Sequence, residues 1–303
     1  MRDLAGFVYR YAPEFWRRVS KDMKREVEAA PRRPRVDRWP QTGLHAAWIG
    51  HSTVVISIDG FIVVTDPVFS NRIGIGLGPV TLGLKRLVEP ALTLAEIPRP
   101  DLILLSHAHM DHFDLPSLRK LEGRSTAVIT AVNTSDLLRV KRYGAVHELG
   151  WGQSMRVGAA TVRAFEVNHW GARMRNDIQR SYNGYVIEAG RYRVVFGGDT
   201  AYTDSFKNVR TSKPVDLAIM PIGAYNPWIR AHCTPEQAVR MADDAGADFI
   251  LPVHHRTFAL SSEPVGEPME RLLSAAGEDR VCLREIGGEF HWANSFDASA
   301  VRV

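Results

Sequence analysis

Seven consecutive residues constrain this chain more than any other part of it: Ser106-His107-Ala108-His109-Met110-Asp111-His112, placed directly after the apolar run 101–105. A run of that kind reads as a strand that delivers the segment to a loop. Three imidazoles and a carboxylate within six residues are costly to bury unless something satisfies them together. A cation does so, and neutral imidazole with carboxylate suits zinc, and also iron or manganese. The competing interpretation is a polar turn facing solvent, and the buried strand before it argues against that.

One loop does not close two coordination spheres, so further ligands are expected at other strand ends. His169 follows a strand candidate ending at residue 167, Asp199 lies in Gly197-Gly198-Asp199-Thr200 after another, and His254 follows Leu251-Pro252-Val253. Each is a metal-binding residue type just past an apolar run, where a sheet can aim several side chains at one place.

The organisation around these residues is that of an α/β protein. Short β-branched runs at 46–49, 54–58, 61–65 and 102–105 predict strands, with a Gly-rich loop over 71–90. Helices are predicted at 115–121 and 135–143, separated by a strand at 127–130. A second group of strands is expected at 160–167, 182–188, 193–196, 217–220 and 249–253. Between its last two members, Thr234, Pro235 and Gly246 mark the cap, first residue and stop of a helix over 235–245. A helix at 268–276 and a strand at 281–284 close the chain. With 303 residues, 45% hydrophobic and 24% charged, the sequence can bury a large core. No linker after Gly43 divides it, so residues 44–303 are expected to form one domain.

Residues 1–43 differ from the rest. Eleven Lys and Arg face six Asp and Glu in residues 1–38, so that segment carries +5 against a chain total of +4 and the remainder sums to −1. Leu4, Phe7, Val8, Tyr11, Phe15, Val19, Met23 and Val27 recur at helical spacing between basic residues, which predicts an amphipathic helix from about Pro13 to Glu28. Such a helix suits packing on its own domain, a second copy in a homodimer, or the anionic surface of a membrane. The near-neutral body argues against nucleic acid as a partner. Cys233 and Cys282 are too few for a disulfide framework, and no membrane span or signal peptide is visible. The expected setting is cytoplasmic, with peripheral contact at the inner face of the membrane if the leader binds lipid.

The pattern resembles the metallo-β-lactamase superfamily of hydrolases, and more narrowly the branch that contains N-acylphosphatidylethanolamine phospholipase D and related bacterial hydrolases. The narrower likeness rests on Trp48-Ile-Gly-His-Ser-Thr-Val-Val-Ile56, Thr65-Asp-Pro-Val-Phe-Ser70, Asn168-His-Trp170, Gly197-Gly-Asp-Thr200, Pro221-Ile-Gly-Ala-Tyr225 and Thr257-Phe-Ala-Leu260. What the resemblance implies is a four-layer αββα sandwich with two zinc ions, or manganese or iron, at one edge of its sheets. By that resemblance His107, His109 and His169 hold one metal, Asp111, His112 and His254 the other, and Asp199 bridges them. The sequence departs from the family after the last ligand, where His255-Arg256 stands in place of the common Trp-Gly. His254 aligns best and His255 is the alternative.

Two cations sharing a water generate a hydroxide near neutral pH, which implies hydrolysis, with Asp111 as both ligand and anchor of that hydroxide. No Gly-x-Ser-x-Gly elbow offers a protein nucleophile. A phosphodiester, as in a phospholipid, is the substrate favoured by the resemblance. A soluble lactonase or phosphorylated-sugar hydrolase, and a non-catalytic metal-binding protein, are the alternatives. His232 matches a histidine that the resembling lipases place over the site and is the candidate for polarising substrate or protonating a leaving group. Tyr225 and Trp228 are candidates for an acyl-chain groove and Arg256 for a phosphate contact. His51, Asp66 and His255 are expected to support ligands by hydrogen bonding rather than to bind metal.

Overall fold

The computed structural model of the protein describes residues 22, 25–77, 80–174, 176–293 and 301–302. The chain first lays down β1 (Leu44–Gly50), β2 (Thr53–Ile58) and β3 (Phe61–Thr65) as an antiparallel meander. A separate hairpin of β4 (Arg72–Leu77) and β5 (Val80–Lys85) follows. Then β6 (Leu102–Leu104), β7 (Ala127–Ala131) and β8 (Ala145–Leu149) extend the first sheet in parallel. A second sheet comprises β9 (Ser154–Val157), β10 (Ala160–Phe165), β11 (Gly184–Ala189), β12 (Tyr192–Phe196), β13 (Val215–Pro221) and β14 (Ala247–Val253). Finally β15 (Glu289–Trp292) and β16 (Val301–Arg302) return to the first sheet, where β15 pairs with β1. The helices are α1 (Leu115–Lys120), α2 (Pro235–Ala245) and α3 (Glu267–Ala276).

Side chains alternate along each strand, and here both faces are covered, so the strands read as nearly unbroken apolar runs. From β1, Leu44, Ala46 and Trp48 enter the layer between the sheets, with Val194, Phe196 and Leu217 in the same core. The other face carries Ala47 and Ile49, packed with Val36, Trp39, Leu92 and Ile97. Ile103 and Val128 pack with Phe113 and with Leu118 of α1. On the far side, Val195, Ala218 and Met220 of the second sheet share a core with Met241 of α2 and Leu272 of α3. The result is the expected four-layer αββα sandwich.

Strand direction is what places the site. Two antiparallel steps make β1 run the same way as β3, and β3 is parallel to β6. By the same logic β10, β12, β13 and β14 point one way in the second sheet. The residues just after β1, β3, β6, β10, β12 and β14 are where His51, Asp66, His107, His169, Asp199 and His254 lie.

Several expectations need correction. The stretch 71–90 is not a plain loop: it contains the β4–β5 hairpin, in which Gly74 pairs with Gly83. A Cβ on Gly74 would sit 2.1 Å from the Leu82 carbonyl oxygen, and one on Gly83 1.9 Å from that of Ile73, so only glycine permits this crossing. Residues 135–143 form two short 3-10 turns, Ser135–Leu137 and Val140–Arg142, not one helix. Leu138 between them is extended and buried. Glu148 on β8 accepts the backbone N–H groups of Asn133, Thr134 and Ser135, which fixes the first turn from outside. The last sheet strand is β15, while 281–284 contributes only an isolated bridge from Val281 to Ile250. Most of the leader helix lies outside the described residues. Its expected end does not form: residues 25–28 are not helical, Glu28 bridges to Val88, and Arg25 donates to the carbonyls of Lys85 and Arg86.

Helix α2 forms as read, with Thr234 and Gln237 in a reciprocal capping box and Gly246 left-handed at its end. Replacing Thr234 by Ala removes the acceptor for the Gln237 N–H and is expected to lower unfolding free energy by about 1 kcal/mol. Denaturant titration checks this; an unchanged midpoint would show that the cap contributes nothing.

Candidate metal centre

The ligand loop begins at the end of β6 and is fastened to the opposite sheet. Tyr185 of β11 donates its hydroxyl to the Leu105 carbonyl at 2.9 Å, and the Asn183 N–H donates to Ser106 O at 2.9 Å. Arg173 closes the loop from the other side: its Nη1 donates to the carbonyls of Ala108 and Phe113, at 2.9 and 2.8 Å. Sequence reading did not find Arg173, because nothing in its spacing marks a contact with a loop some sixty positions away.

Two groups of side chains meet at this edge. His107, His109 and His169 form one, with His107 Nε2 2.8 Å from His109 Nδ1 and His169 Nε2 3.3 Å from the same atom. Asp111, His112 and His254 form the other, joined by His51. Asp199 lies between them: its Oδ2 is 3.1 Å from both His112 Nε2 and His254 Nε2, 3.8 Å from His169 Nε2 and 4.0 Å from His107 Nε2. These approaches are close but not aligned as hydrogen bonds. His112 Nε2, His254 Nε2 and Asp199 Oδ1 are buried without a hydrogen-bond partner. Ligands around a tetrahedral zinc at about 2.0–2.1 Å are themselves roughly 3.3 Å apart, so the spacing and the orphaned atoms both fit a shared cation. The donor set of imidazole and carboxylate suits zinc, manganese or iron.

The residues expected to support the ligands are placed as follows. His112 Nδ1 donates to Asp66 at 2.6 Å, and Asp66 also accepts the Ser106 N–H at 2.7 Å, an arrangement that fixes the imidazole tautomer and frees Nε2. His51 Nε2 lies 3.0 Å from Asp111 Oδ2, close enough to orient that carboxylate or to share its cation. The His51 turn is tied to the last ligand: the His254 N–H donates to His51 O, and the His51 N–H to Thr257 Oγ1. His51, Asp66 and His254 all have positive φ, a conformation that costs energy in residues other than glycine and that gathers at functional sites. His255 is the neighbour that does not join. It is buried and stacks on Trp48 with ring centroids 4.6 Å apart.

The three substrate candidates sit differently from one another. Tyr225 is buried and donates its hydroxyl to Glu267 of α3 at 2.7 Å, under the Arg271 guanidinium. Trp228 is half-buried, and its carbonyl accepts the N–H groups of Ala231 and His232. Arg256 turns to the Arg284 carbonyl. His232 is the one beside the ligands: it stacks on His254, and its buried, unpartnered Nδ1 is 3.8 Å from Asp199 Oδ2. Trp170, exposed, flanks His109 and His169 at ring distances of 4.8 and 4.6 Å.

Without a metal, charge in the cluster is carried by carboxylates facing protonated imidazoles. Burial opposes ionisation of Asp111 and Asp199, yet the surrounding imidazoles, His112 foremost, hold both well below the usual carboxylate range. Burial likewise opposes a charge on His112 and His254. The Asp199 and Asp111 carboxylates outweigh it, so His112 is raised well above the ordinary imidazole value and His254 up to about 9. Burial pushes the remaining imidazoles down, His107 and His169 strongly and His109 to about 4.

Residues 62–255 match the family described as a beta-lactamase superfamily domain, and the chain belongs to that family. It is 36% identical over 259 residues to an uncharacterized protein of Mycobacterium tuberculosis, covering 82% of this chain and 68% of the other. It is 30% identical over 259 residues to N-acyl-phosphatidylethanolamine-hydrolyzing phospholipase D 1 of Caenorhabditis elegans, with 79% and 72% covered. Among solved structures, a metallo hydrolase from the archaeon Ignicoccus hospitalis superposes with a TM-score of 0.63 at 19% identity, covering 84% of this chain and all of that one.

Two measurements test this geometry. Metal ligation requires neutral His112 and His254, whose pKa values are raised in the metal-free protein, so below about pH 9 a metal must displace protons and its affinity rises with pH. Calorimetry of zinc binding at pH 7 in buffers of different ionisation enthalpy should show net proton release, and binding without it would contradict the charge distribution. Substituting Arg173 by Met strips two hydrogen bonds from a charged donor, with an expected loss of about 2–3 kcal/mol in folding stability. A loss below 0.5 kcal/mol would mean the ligand loop holds without that clamp.

Proposed function

We propose that this chain is a dinuclear metal-dependent hydrolase acting on phosphodiesters, with a phospholipid as the favoured substrate class. The observation that carries the reading is the convergence of His107, His109 and His169 in one group and Asp111, His112 and His254 in another, with the Asp199 carboxylate between them. These seven side chains are the ones that would hold the metals. When bound, two such cations acidify a shared water and neutralise charge on substrate oxygens.

The protein's own groups supply the rest. Asp66 and Ser106 fix the rings of His112 and His107, and the Ala231 carbonyl accepts from His169 Nδ1 at 2.9 Å, so the donor atoms are set before any substrate arrives. His232 presents an uncommitted Nδ1 beside the cluster, and burial pushes the ring down to about 4, so it is neutral near pH 7 and is assigned to polarising a substrate oxygen by hydrogen bonding. The substrate class rests on the relatives named as N-acyl-phosphatidylethanolamine-hydrolyzing phospholipases D, at 30% and 31% identity. The chain covers 55% of the length of the yeast protein among them. Among the described residues no helix is long and apolar enough to cross a membrane.

The test combines metal analysis of the purified protein by mass spectrometry with hydrolysis of bis(p-nitrophenyl) phosphate. Wild type is expected to carry close to two metals and cleave the ester. Asp199→Ala should abolish cleavage. His232→Ala should retain the metals and lower kcat about a hundredfold. Metal without phosphodiester cleavage, but with opening of lactones, would replace the substrate class. Little metal and no activity after zinc or manganese is restored would leave a binding protein.

A further inference from the structure

Arg256 is one of two residues, with His255, by which this sequence departs from the pattern it otherwise resembles after the last expected ligand. Its Nη1 donates to the Arg284 carbonyl at 3.1 Å, and among the described residues it has no carboxylate partner. It lines a cleft of about 530 Å³ whose other walls come from α3 and residues 281–288. That volume lies within the roughly 300–1,000 Å³ of small-molecule sites. None of the seven expected ligands lines it.

The walls of the cleft have a definite chemistry. Met269 and Leu273 of α3, with Val281 and Leu283, make an apolar side. Two other arginines border it, and both are matched: Arg32 pairs with Glu285 at 2.8 Å and Arg284 with Glu278 at 3.1 Å. Arg256 is thus the unmatched cation beside an apolar wall. A guanidinium with free N–H groups recognises a carboxylate by two parallel hydrogen bonds, while an adjacent apolar wall rewards a hydrocarbon body on the same molecule.

We propose that this cleft is a second ligand site, separate from the metal centre, that takes a small monocarboxylate with a short apolar body and holds its carboxylate on Arg256. Arg256 lies two residues after His254, and both have positive φ, so the bound carboxylate sits on the same short turn that carries a metal-facing histidine. The site does not depend on the hydrolase reading, because its recognition elements are Arg256 and the α3 wall.

Octanoate is the probe, titrated calorimetrically into the zinc-loaded full chain at fixed ionic strength, with octanol and octylamine as comparators. Saturable binding at one site is expected for octanoate, at least tenfold weaker for octanol and absent for octylamine. Arg256→Gln should weaken octanoate at least tenfold, Arg256→Lys should recover part of the loss, and Leu273→Trp should fill the cleft and abolish binding. Circular dichroism of each variant separates these effects from misfolding, and the Arg256 pair decides the matter if Leu273→Trp does not fold. No saturable binding by wild type overturns the proposal, as does equal affinity for octanol or unchanged affinity in Arg256→Gln. Binding that survives Leu273→Trp but disappears when zinc is removed also overturns it, by placing octanoate on the metals.

Discussion

Around the Asp199 carboxylate lie five imidazoles, those of His107, His112, His169, His232 and His254, each within 4.0 Å of one of its oxygens and all buried. That concentration governs the rest of the structure. Buried polar atoms without partners cost energy, and buried charges cost more unless paired. Without a cation the cluster is held together by protons on His112 and His254 set against Asp111 and Asp199. A cation held there would displace those protons and satisfy the same atoms. The sandwich supplies the geometry this requires, since six strands from two sheets end at one edge.

The parts of this arrangement that were legible in the sequence are the parts governed by local pattern. A strand followed by a polar loop is a local signal, and it located His107 to His112, His169, Asp199 and His254. The cap, proline and glycine around α2 are local too, and its bounds came out as read. The β4–β5 hairpin is readable in principle, since Ile73, Ile75 and Leu77 alternate with glycines, but glycine-rich composition equally marks a loop. At 135–143 the helical spacing was genuine, and a carboxylate from β8 overrode it. The choice between His254 and His255 was beyond pattern alone, because adjacent residues differ only in which way a strained turn points them.

Long-range clamps were invisible for a different reason. Arg173 holds carbonyls of Ala108 and Phe113, and the fully buried Arg86 holds those of Val68, Ser70 and Val88. Neither interaction requires a particular residue at the accepting position, since any backbone carbonyl serves. A sequence therefore carries a mark only on the donor side, and an arginine in a loop looks like any solvated charge. Arg86 also illustrates how such clamps reach the site: its guanidinium lies over the Phe258 ring, which meets the edge of His51 at 5.1 Å. Through that contact the residue that follows β5 supports His51, whose Nε2 lies 3.0 Å from Asp111 Oδ2.

The turn after β14 concentrates these arguments in three residues. His254 points to the histidine and aspartate cluster, His255 stacks on Trp48 between the sheets, and Arg256 lines a separate cleft. Alternate residues can serve two sides of a layer only if the backbone bends sharply, and positive φ at His254 and Arg256 provides the bend. For a residue with a Cβ that conformation costs roughly 1–2 kcal/mol, which glycine avoids. An arginine at position 256 thus works against the backbone, and its bond to the Arg284 carbonyl offsets part of that cost. What glycine could not provide is a cation at the cleft, two residues from His254.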